Sequence, residues 1–278
     1  MQKISFEQLR QQHLAGMFEA FERAMQKLEI DFYVIGALAR DTWLATHGIR
    51  AIGTRDIDWA VMLGNTRQFS LLKEYLVKVE GFTSTGNNYT LFDKEGNQID
   101  MLPFGALTIE GKKVIGASGR LQTDVNGLQE VYVSGAEPVI YDNKFSFKVA
   151  SLPGIVLLKL ISWDDRPEHR SKDIVDIGTL WTHYYMLTIE NIYQNYSDIF
   201  EGEDKTELEM GSMALGRDMS LIVGNNHLLR ERIIDILNRE LQSGAMTRLI
   251  FHHLTINEPT IEMIQGLFYK ILSSFKGE

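Results

Sequence analysis

The chain has 278 residues, of which 44% are hydrophobic and 23% charged, with no cysteine and a formal net charge of −9. This length is enough to bury one large core or two smaller ones, and the lack of cysteine excludes disulfides and thiolate metal ligands. No apolar run approaches the length of a transmembrane helix, and the N-terminus lacks the apolar block of a signal peptide, so we expect a cytoplasmic protein with no membrane partner. The negative charge argues against long duplex DNA as a partner, because phosphate neutralisation supplies much of the affinity for it.

The first half of the chain mixes patterns typical of helices and of strands. Apolar residues recur at helical spacing over residues 5–29, and the short apolar run DFYVIG then predicts a strand that ends at Gly36. A helix to Gly48 follows, then the strand DIDWAVML, a helix ending at Gly81, and two strands around the turn DKEGN. Strand-like pieces continue to residue 148, namely KKVIGAS, EVYVSG, EPVIY and KFSFKV.

From Ser151 onwards helical patterns dominate the chain. Ser151 and Pro153 are typical of a helix start, and a break at Arg166–Pro167 separates this helix from the next. Helical spacing continues in HLLRERIIDILNRELQ and TIEMIQGLFYKILSSF. We therefore predict an α/β (α+β) domain over residues 1–150, with a small mixed sheet flanked by helices, and a helical domain over residues 151–278.

Two aspartates share one face of the strand DIDWAVML, because alternation places Asp56 and Asp58 together with apolar residues opposite. Such a pair is usually an ordinary solvent-facing strand end, yet two close carboxylates repel each other unless they are solvated, protonated or bound to a cation. Asp100, in QIDMLPF, would join them if its strand pairs beside theirs; the alternative is that Asp100 merely closes a hairpin. Three carboxylates on neighbouring strands suit Mg²⁺, which prefers carboxylate and phosphate oxygens.

Two further positions suit anionic groups. At Gly36 a strand ends and a helix begins at once, which exposes backbone N–H groups suited to a phosphate; alternatively Gly36 only permits a tight turn. Lys159 lies in the apolar helix GIVLLKLISW, where its ammonium must reach solvent or meet an anion. On the next helix, Asp173 and Asp176 are i, i+3 neighbours, and Lys172 is placed to pair with an acid or a phosphate.

Taken together, YVIGALARD, GTRDIDWAV, IDMLPFG and KLISWDDRPEHRSKDIVDI resemble the nucleotidyltransferase fold of the DNA polymerase β superfamily, and most of all the bacterial AbiEii/AbiGii-type nucleotidyltransferases. The resemblance covers residues 31–185. It implies an enzyme that uses Mg²⁺, or Mn²⁺, to transfer a nucleoside monophosphate from an NTP to a hydroxyl of an RNA such as tRNA, or of a protein. It also implies a toxin of an abortive-infection or toxin–antitoxin pair, with a cognate antitoxin protein as partner.

The same resemblance implies roles for individual residues. Asp56, Asp58 and Asp100 would be the catalytic metal ligands, and Asp100 would help to activate the acceptor. The nucleotide would be contacted from both halves of the chain, the helical domain completing the cleft, by Gly36, Ala37, Arg40, Thr54, Arg55, Lys159, Arg166, Lys172, Asp173 and Asp176. Many relatives carry serine where this chain has Ala37, so the phosphate grip would rely more on backbone, Thr54, Arg55 or Arg40.

Two other functions remain open at this point. A catalytically silent module of the same fold would bind a nucleotide or a partner protein, and Ala37 is the residue that keeps this alternative open. A transferase acting on small molecules, of the antibiotic-modifying kind, would share the same acids. The presence of all three acids favours an enzyme, because a binding module does not need three clustered carboxylates.

Overall fold

The computed structural model describes residues 1–54, 56–84, 86–87, 89–105, 126–202, 204–253 and 260–276, together with the backbone of residues 113–115 and 122–124. The chain divides into two compact units, Met1–Ser151 and Leu152–Glu278. Within the described residues, none of the helices combines the length and the apolar character needed to cross a lipid bilayer.

The described strands of the first unit are β1 (Gln2–Ile4), β2 (Phe32–Ile35), β3 (Asp56–Leu63), β4 (Thr83–Ser84), β5 (Thr90–Phe92), β6 (Gln98–Gly105), β7 (Lys113–Ile115), β8 (Gln122–Asp124), β9 (Ala136–Tyr141) and β10 (Phe145–Ala150). Eight of these described strands form one mixed sheet, in the order β1-β9-β10-β2-β3-β6-β5-β4. The pairs β1/β9, β10/β2 and β3/β6 are parallel, and the other neighbours in the sheet are antiparallel. Strands β7 and β8 form a separate antiparallel pair.

An aromatic core on one face of this sheet fixes the orientation of β3. The described helices of the unit are α1 (Ala15–Leu28), α2 (Gly36–Thr46), α3 (Thr66–Lys78) and α4 (Leu128–Ser134). Trp59 is fully buried, and Phe21 of α1 stacks on it with ring centroids 4.5 Å apart, while Phe18 meets it edge-on at 5.1 Å. Because side chains alternate along a strand, burying Trp59 under α1 sends Asp56 and Asp58 to the opposite face.

Two predicted elements of this unit are wrong. The helix predicted over residues 5–29 begins only at Ala15, because Gln2–Ile4 pairs in parallel with β9 and a short 3₁₀ turn follows at Gln12–Leu14. EVYVSG is not a strand but most of helix α4, which begins after Gly127 with φ +83° and buries Leu128 and Val131. Three-residue spacing of these two apolar side chains suits one helical face.

In its described residues the second unit is helical, as predicted. They are α5 (Leu152–Asp165), α6 (Ser171–Asn195), α7 (Glu207–Val223), α8 (His227–Ser243), α9 (Ala245–His253) and α10 (Ile261–Lys276). Helices α7 and α10 approach so closely that a Cβ on Gly216 would lie 2.9 Å from Ile271 Cα. The predicted class, a mixed sheet flanked by helices and followed by a helical region, is confirmed, although the sheet is wider than the small one expected.

One half-buried carboxylate, that of Asp218, lies between α6, the residue that follows α6, and α7. Asp218 of α7 accepts hydrogen bonds from the hydroxyls of Tyr184 and Tyr196, each at 2.5 Å. Burial raises the pKa of Asp218 above its usual value, although the hydrogen bonds from Tyr184, Tyr196 and Asn191 act in the opposite direction. This carboxylate links the middle of α6, through Tyr184, and the residue after α6, Tyr196, to α7.

Candidate active site

One row of the sheet brings two of the predicted acids side by side. Strands β3 and β6 are parallel neighbours, with Asp58 directly opposite Asp100. The same row continues on one side to Thr90 of β5 and on the other to Ile35 of β2. Since neighbouring strands lie only about 4.8 Å apart, the two carboxylates leave the sheet at adjacent positions on one face. The pairing that would unite Asp100 with the acids of β3 is therefore present.

Asp56 lies one row further along the same face, at the exposed start of β3 and opposite Gln98. Its backbone N–H donates to Thr54 Oγ1 at 3.2 Å, and the Thr54 hydroxyl donates to the Asp56 carbonyl at 3.0 Å. In this structure the hydroxyl of Thr54 is therefore bonded to the backbone two residues further along the chain. The predicted contact Arg55 lies outside the described residues.

Asp100 is held on both of its oxygens by uncharged donors. Thr90 Oγ1 donates to Oδ1 at 2.5 Å, and Gln98 Nε2 donates to Oδ2 at 2.7 Å. Thr90 itself is buried, with 6% of its surface exposed, and it receives a hydrogen bond of 2.9 Å from Asn87 Nδ2. These bonds restrict the rotation of the carboxylate while leaving its negative charge without a basic partner among them.

Gly36 approaches the carboxylate of Asp58 more closely than any other residue type would allow. Its φ is +69°, and a Cβ built on it would lie 2.1 Å from Asp58 Oδ2. The glycine is therefore required by the position of Asp58 as well as by the turn. Helix α2 begins at Gly36 without a side-chain cap, and half-exposed Ala37 is its second residue. The first backbone amides of α2 thus start beside the acid row, where a phosphate is favoured.

Arg40, a predicted nucleotide contact, is buried in this structure. Only 4% of its surface is exposed, and its guanidinium donates to Asp41 Oδ1 through Nε at 2.8 Å and Nη2 at 2.6 Å. Asp41 is fully buried and accepts the Gly53 N–H at 2.8 Å with its other oxygen. The pair therefore ties the loop before β3 to α2. In this structure Arg40 therefore has a structural contact, and its contact with a phosphate stays a prediction.

In the helical unit, the ammonium of Lys159 meets two carboxylates. Its Nζ lies 2.7 Å from Asp173 Oδ1 and 2.7 Å from Asp176 Oδ2, and 8% of the residue is exposed. The i, i+3 spacing of the two acids on α6 allows both to face α5. The sequence left open whether the ammonium of Lys159 reaches solvent or meets an anion. In the structure it is buried and paired with carboxylates. Lys159, Asp173 and Asp176 fasten α5 to α6.

The remaining predicted basic residues, Arg166 and Lys172, lie around the turn between α5 and α6, together with Arg170. Arg166 is half-buried, with its Nε 3.2 Å from Asp165 Oδ2. Arg170 Nη1 lies 3.7 Å from Asp173 Oδ2. Lys172 is exposed at the start of α6. These side chains form a mixed basic and acidic turn in which Lys172 extends into solvent.

The acid row fits a divalent cation in its chemistry. Asp58 and Asp100 offer hard oxygen ligands at adjacent positions, and Asp56 follows on the same face. Across the described residues, no group of three or more histidine, aspartate or glutamate side chains is arranged to hold a metal ion. The two acids in register therefore form the core of the candidate site, and Asp56 stays a predicted third ligand.

Sequence reasoning missed Thr90, Gln98 and Asn87. Gln98 had a signal, because it stands two residues before Asp100 and therefore on the same face of β6. Thr90 becomes visible only once β5 and β6 are paired and their register places it opposite Asp100.

A scan of protein-family models and a search of curated proteins find no match to this chain. Among solved structures, the Thermotoga maritima CCA-adding enzyme complexed with tRNA is similar at 12% identity and a TM-score of 0.33, over 98% of this chain and 83% of that chain. A CCA-adding enzyme complexed with ATP is similar at 12% identity and a TM-score of 0.33, over 95% of this chain and 81% of that chain. A CCA-adding enzyme in an apo form gives 13% identity and a TM-score of 0.31, over 95% and 80%. A likeness at these TM-scores does not establish a family, and the function proposed below rests on side chains of the chain itself.

Proposed function

We propose that this protein is a Mg²⁺-dependent nucleotidyltransferase, which moves a nucleoside monophosphate from an NTP to a hydroxyl group of an RNA or protein. The observation that carries the proposal is the row in which Asp100 and Asp58 stand in register beside the start of α2. Two adjacent carboxylates and a run of backbone amides at a helix start are complementary to a metal–triphosphate substrate. The motifs that resemble the DNA polymerase β superfamily support the same chemistry.

The reaction needs few covalent contributions from the protein. The acceptor oxygen attacks the α-phosphorus of the NTP, a new P–O bond forms, and the bond to the leaving pyrophosphate breaks. Asp100 accepts the proton of the acceptor hydroxyl as a general base. Asp58 and Asp100, with Asp56 as a third ligand, would hold Mg²⁺, and the metal would supply positive charge that favours the transfer.

Binding of the nucleotide is proposed to rely on backbone groups more than on hydroxyls. Gly36 and Ala37 would present their N–H groups to the phosphates, since α2 carries no side-chain cap. Thr54 and Arg55, which precede β3 in the sequence, are proposed as further contacts, and the resemblance implies Arg166 and Lys172 as well. Lys159, Asp173 and Asp176 would act indirectly, by keeping α5 and α6 together.

The finer biological role is proposed from the resemblance alone. The protein would act in the cytoplasm as the toxin of a toxin–antitoxin pair, with an antitoxin protein as its partner. Controlled expression in a bacterial host tests this role, because a toxin arrests growth and the Asp58→Asn variant does not. Equal growth on expression of either form, at equal protein levels, would remove the toxin role without affecting the proposed chemistry.

The chemistry itself is tested with α-labelled NTPs, Mg²⁺ and a cell extract, followed by separation of RNA, protein and small molecules. We expect label in the RNA or protein fraction with the wild type and its loss with Asp58→Asn. Glu95→Gln is the matched control, because Glu95 is an exposed acid in the turn before Asp100. Nucleotide binding without any transfer of label would instead identify a silent module, and label in the small-molecule fraction would identify a small-molecule transferase.

A further inference from the structure

The hydrogen bonds around Asp100 form a directed chain that begins at a backbone amide. The Tyr89 N–H donates to Asn87 Oδ1 at 3.1 Å, Asn87 Nδ2 donates to Thr90 Oγ1 at 2.9 Å, and Thr90 Oγ1 donates to Asp100 Oδ1 at 2.5 Å. We infer that Thr90, with Gln98 on the other oxygen, is a positioning residue that fixes the carboxylate of Asp100. The catalytic meaning of this inference rests on the proposed function.

The direction of the chain follows from the chemistry of its first member. A backbone N–H is always a donor, so the atom of Asn87 that faces Tyr89 N must be the carbonyl oxygen. The amide nitrogen of Asn87 then faces Thr90 and donates to its hydroxyl oxygen. The Thr90 hydroxyl accepts this bond, and its proton is directed to Asp100. A carboxylate oxygen only accepts, so each bond in the chain is satisfied in the same sense.

The second oxygen of Asp100 is fixed independently. Gln98 Nε2 donates to Oδ2 at 2.7 Å, and Gln98 lies on the same face of β6, two residues before Asp100. One donor on each oxygen holds the plane of the carboxylate, while an ionised carboxylate has about four lone-pair sites in total. The lone pairs beyond those two bonds are available for a cation or for the proton of an acceptor.

Among the described residues, the hydrogen-bond partners of Asp100 are neutral, and this has a consequence for the site. An arginine or lysine in their place would fix the same geometry but would also cancel the charge that attracts a cation. Thr90 and Gln98 orient the carboxylate without doing so. Loss of groups that orient a metal ligand typically lowers metal affinity or activity by about 10–100-fold. We expect a loss in this range when the Thr90 hydroxyl is removed.

The experiment compares Thr90→Val, Thr90→Ser and Gln98→Met in the full chain. Thr90→Val keeps the shape of the side chain and removes the donor, whereas Thr90→Ser keeps the donor. Binding of Mn²⁺ from MnCl₂ alone is measured by electron paramagnetic resonance, and kcat and KM for the NTP are measured where transfer is found. Circular dichroism shows whether each variant is folded.

For Thr90→Val we expect Mn²⁺ affinity and kcat to fall by about 10–100-fold, with little change in the KM for the NTP. Thr90→Ser should restore both, which a purely structural role of the buried residue would not produce. Gln98→Met, at a half-exposed position, should lower the same two quantities in a variant that folds readily. Thr83→Val is the matched control, because the exposed Thr83 hydroxyl donates to a backbone carbonyl, that of Phe92.

Failure of this inference is distinguishable from failure of the proposed function. If the wild type transfers label and a folded Thr90→Val variant matches it in Mn²⁺ affinity and kcat, the positioning role is overturned and the transferase stands. If no NTP supports transfer but Mn²⁺ affinity still falls in Thr90→Val and returns in Thr90→Ser, the positioning role stands and the transferase is overturned. A wild type that binds no Mn²⁺ overturns the positioning role.

Discussion

Each unit of the molecule holds a pair of aspartates close together, and the two pairs are stabilised in opposite ways. In the helical unit, Asp173 and Asp176 share the ammonium of Lys159, at 2.7 Å from each. In the sheet unit, Asp100 stands beside Asp58 and receives its hydrogen bonds from the neutral side chains of Thr90 and Gln98. In the helical unit the ammonium of Lys159 offsets the negative charge of the pair. In the sheet unit the donors to Asp100 fix its orientation without offsetting its charge.

If the proposed function is correct, this difference separates acids that stabilise the fold from acids that take part in the chemistry. Removing one member of a cluster with an ammonium between two carboxylates destabilises the fold, because the remaining charges are then buried without a partner. A carboxylate held by neutral donors beside a second carboxylate instead favours the binding of a cation. Motifs alone do not distinguish the two cases, since all of these aspartates matched the same resemblance.

The largest expected effect tests the sheet pair. Asp100→Asn keeps the shape of the side chain but removes its charge and its ability to accept a proton, so we expect transfer to fall by about 10²–10⁴-fold. Steady-state kinetics with a labelled NTP measure this effect. Asp173→Asn is the counterpart in the helical unit and should leave the activity of each folded molecule near the wild-type value. Similar losses from both variants would remove the distinction between the two pairs.

The second prediction concerns the lysine of the helical unit. Lys159→Met keeps an apolar stem of similar length but leaves two acids facing each other, so we expect unfolding free energy to fall by about 3–5 kcal/mol. Chemical denaturation followed by circular dichroism measures this loss. Replacing Asp173 and Asp176 with leucine in the same variant should recover most of it. A stable Lys159→Met protein with a higher KM for the NTP would show instead that the ammonium contacts the nucleotide.

Gly36 and Gly48 offer a matched pair for the approach of α2 to the acid row. Both have positive φ, +69° and +75°, but a Cβ on Gly36 would meet Asp58 whereas one on Gly48 meets nothing within 4 Å. Both alanine substitutions carry the left-handed backbone strain of about 1–2 kcal/mol. Only Gly36→Ala should also displace Asp58, with a loss of transfer near 100-fold if the displacement reaches about 1 Å. Equal activity in both variants would contradict the close approach.

The smallest expected effect extends the comparison to a fifth carboxylate, that of Asp218, which also accepts hydrogen bonds from neutral donors. Its pKa is raised above the usual 3.8, so the folded state binds the proton more tightly than the unfolded state does. The stabilisation from the protonated form is therefore complete below the usual pKa and is lost as pH rises through the raised value. Asp218→Asn does not titrate, so wild-type stability should decline relative to this variant over that range. A pH-independent difference in unfolding midpoint would contradict this prediction.

Local pattern was sufficient to predict the elements that carry the acids. The alternation in DIDWAVML predicted β3 and the shared face of Asp56 and Asp58, because one face is filled by Trp59 and its neighbours. The same reasoning was wrong for EVYVSG, where β-branched residues suggested a strand and the apolar pair Leu128 and Val131 belongs to one helical face. Short segments with few apolar residues fit both periods, so contacts with the rest of the fold decide.

Contacts across the sheet were beyond local pattern. The contact of Thr90 with Asp100 depends on the register between β5 and β6. The position of Asp41, the partner of Arg40, depends on a hydrogen bond that the Gly53 N–H donates from a later loop. For Lys159 the sequence predicted that an anion was one solution, and the i, i+3 acids on α6 were already noted. What it lacked was the pairing of α5 with α6, which determines that the anion comes from the protein.

The alternation of Asp58 and Trp59 along β3 also helps to fix the register of this strand during folding. A slip of β3 by one residue against its neighbours would exchange the two faces, placing Asp56 and Asp58 against Phe18 and Phe21 and exposing Trp59. Burying two carboxylates among aromatic rings is strongly unfavourable, so the shifted pairing would be unstable. The residues proposed for transfer chemistry therefore also favour the native register of β3. An insertion or deletion of one residue within β3 would destabilise the fold as well as disrupt the site.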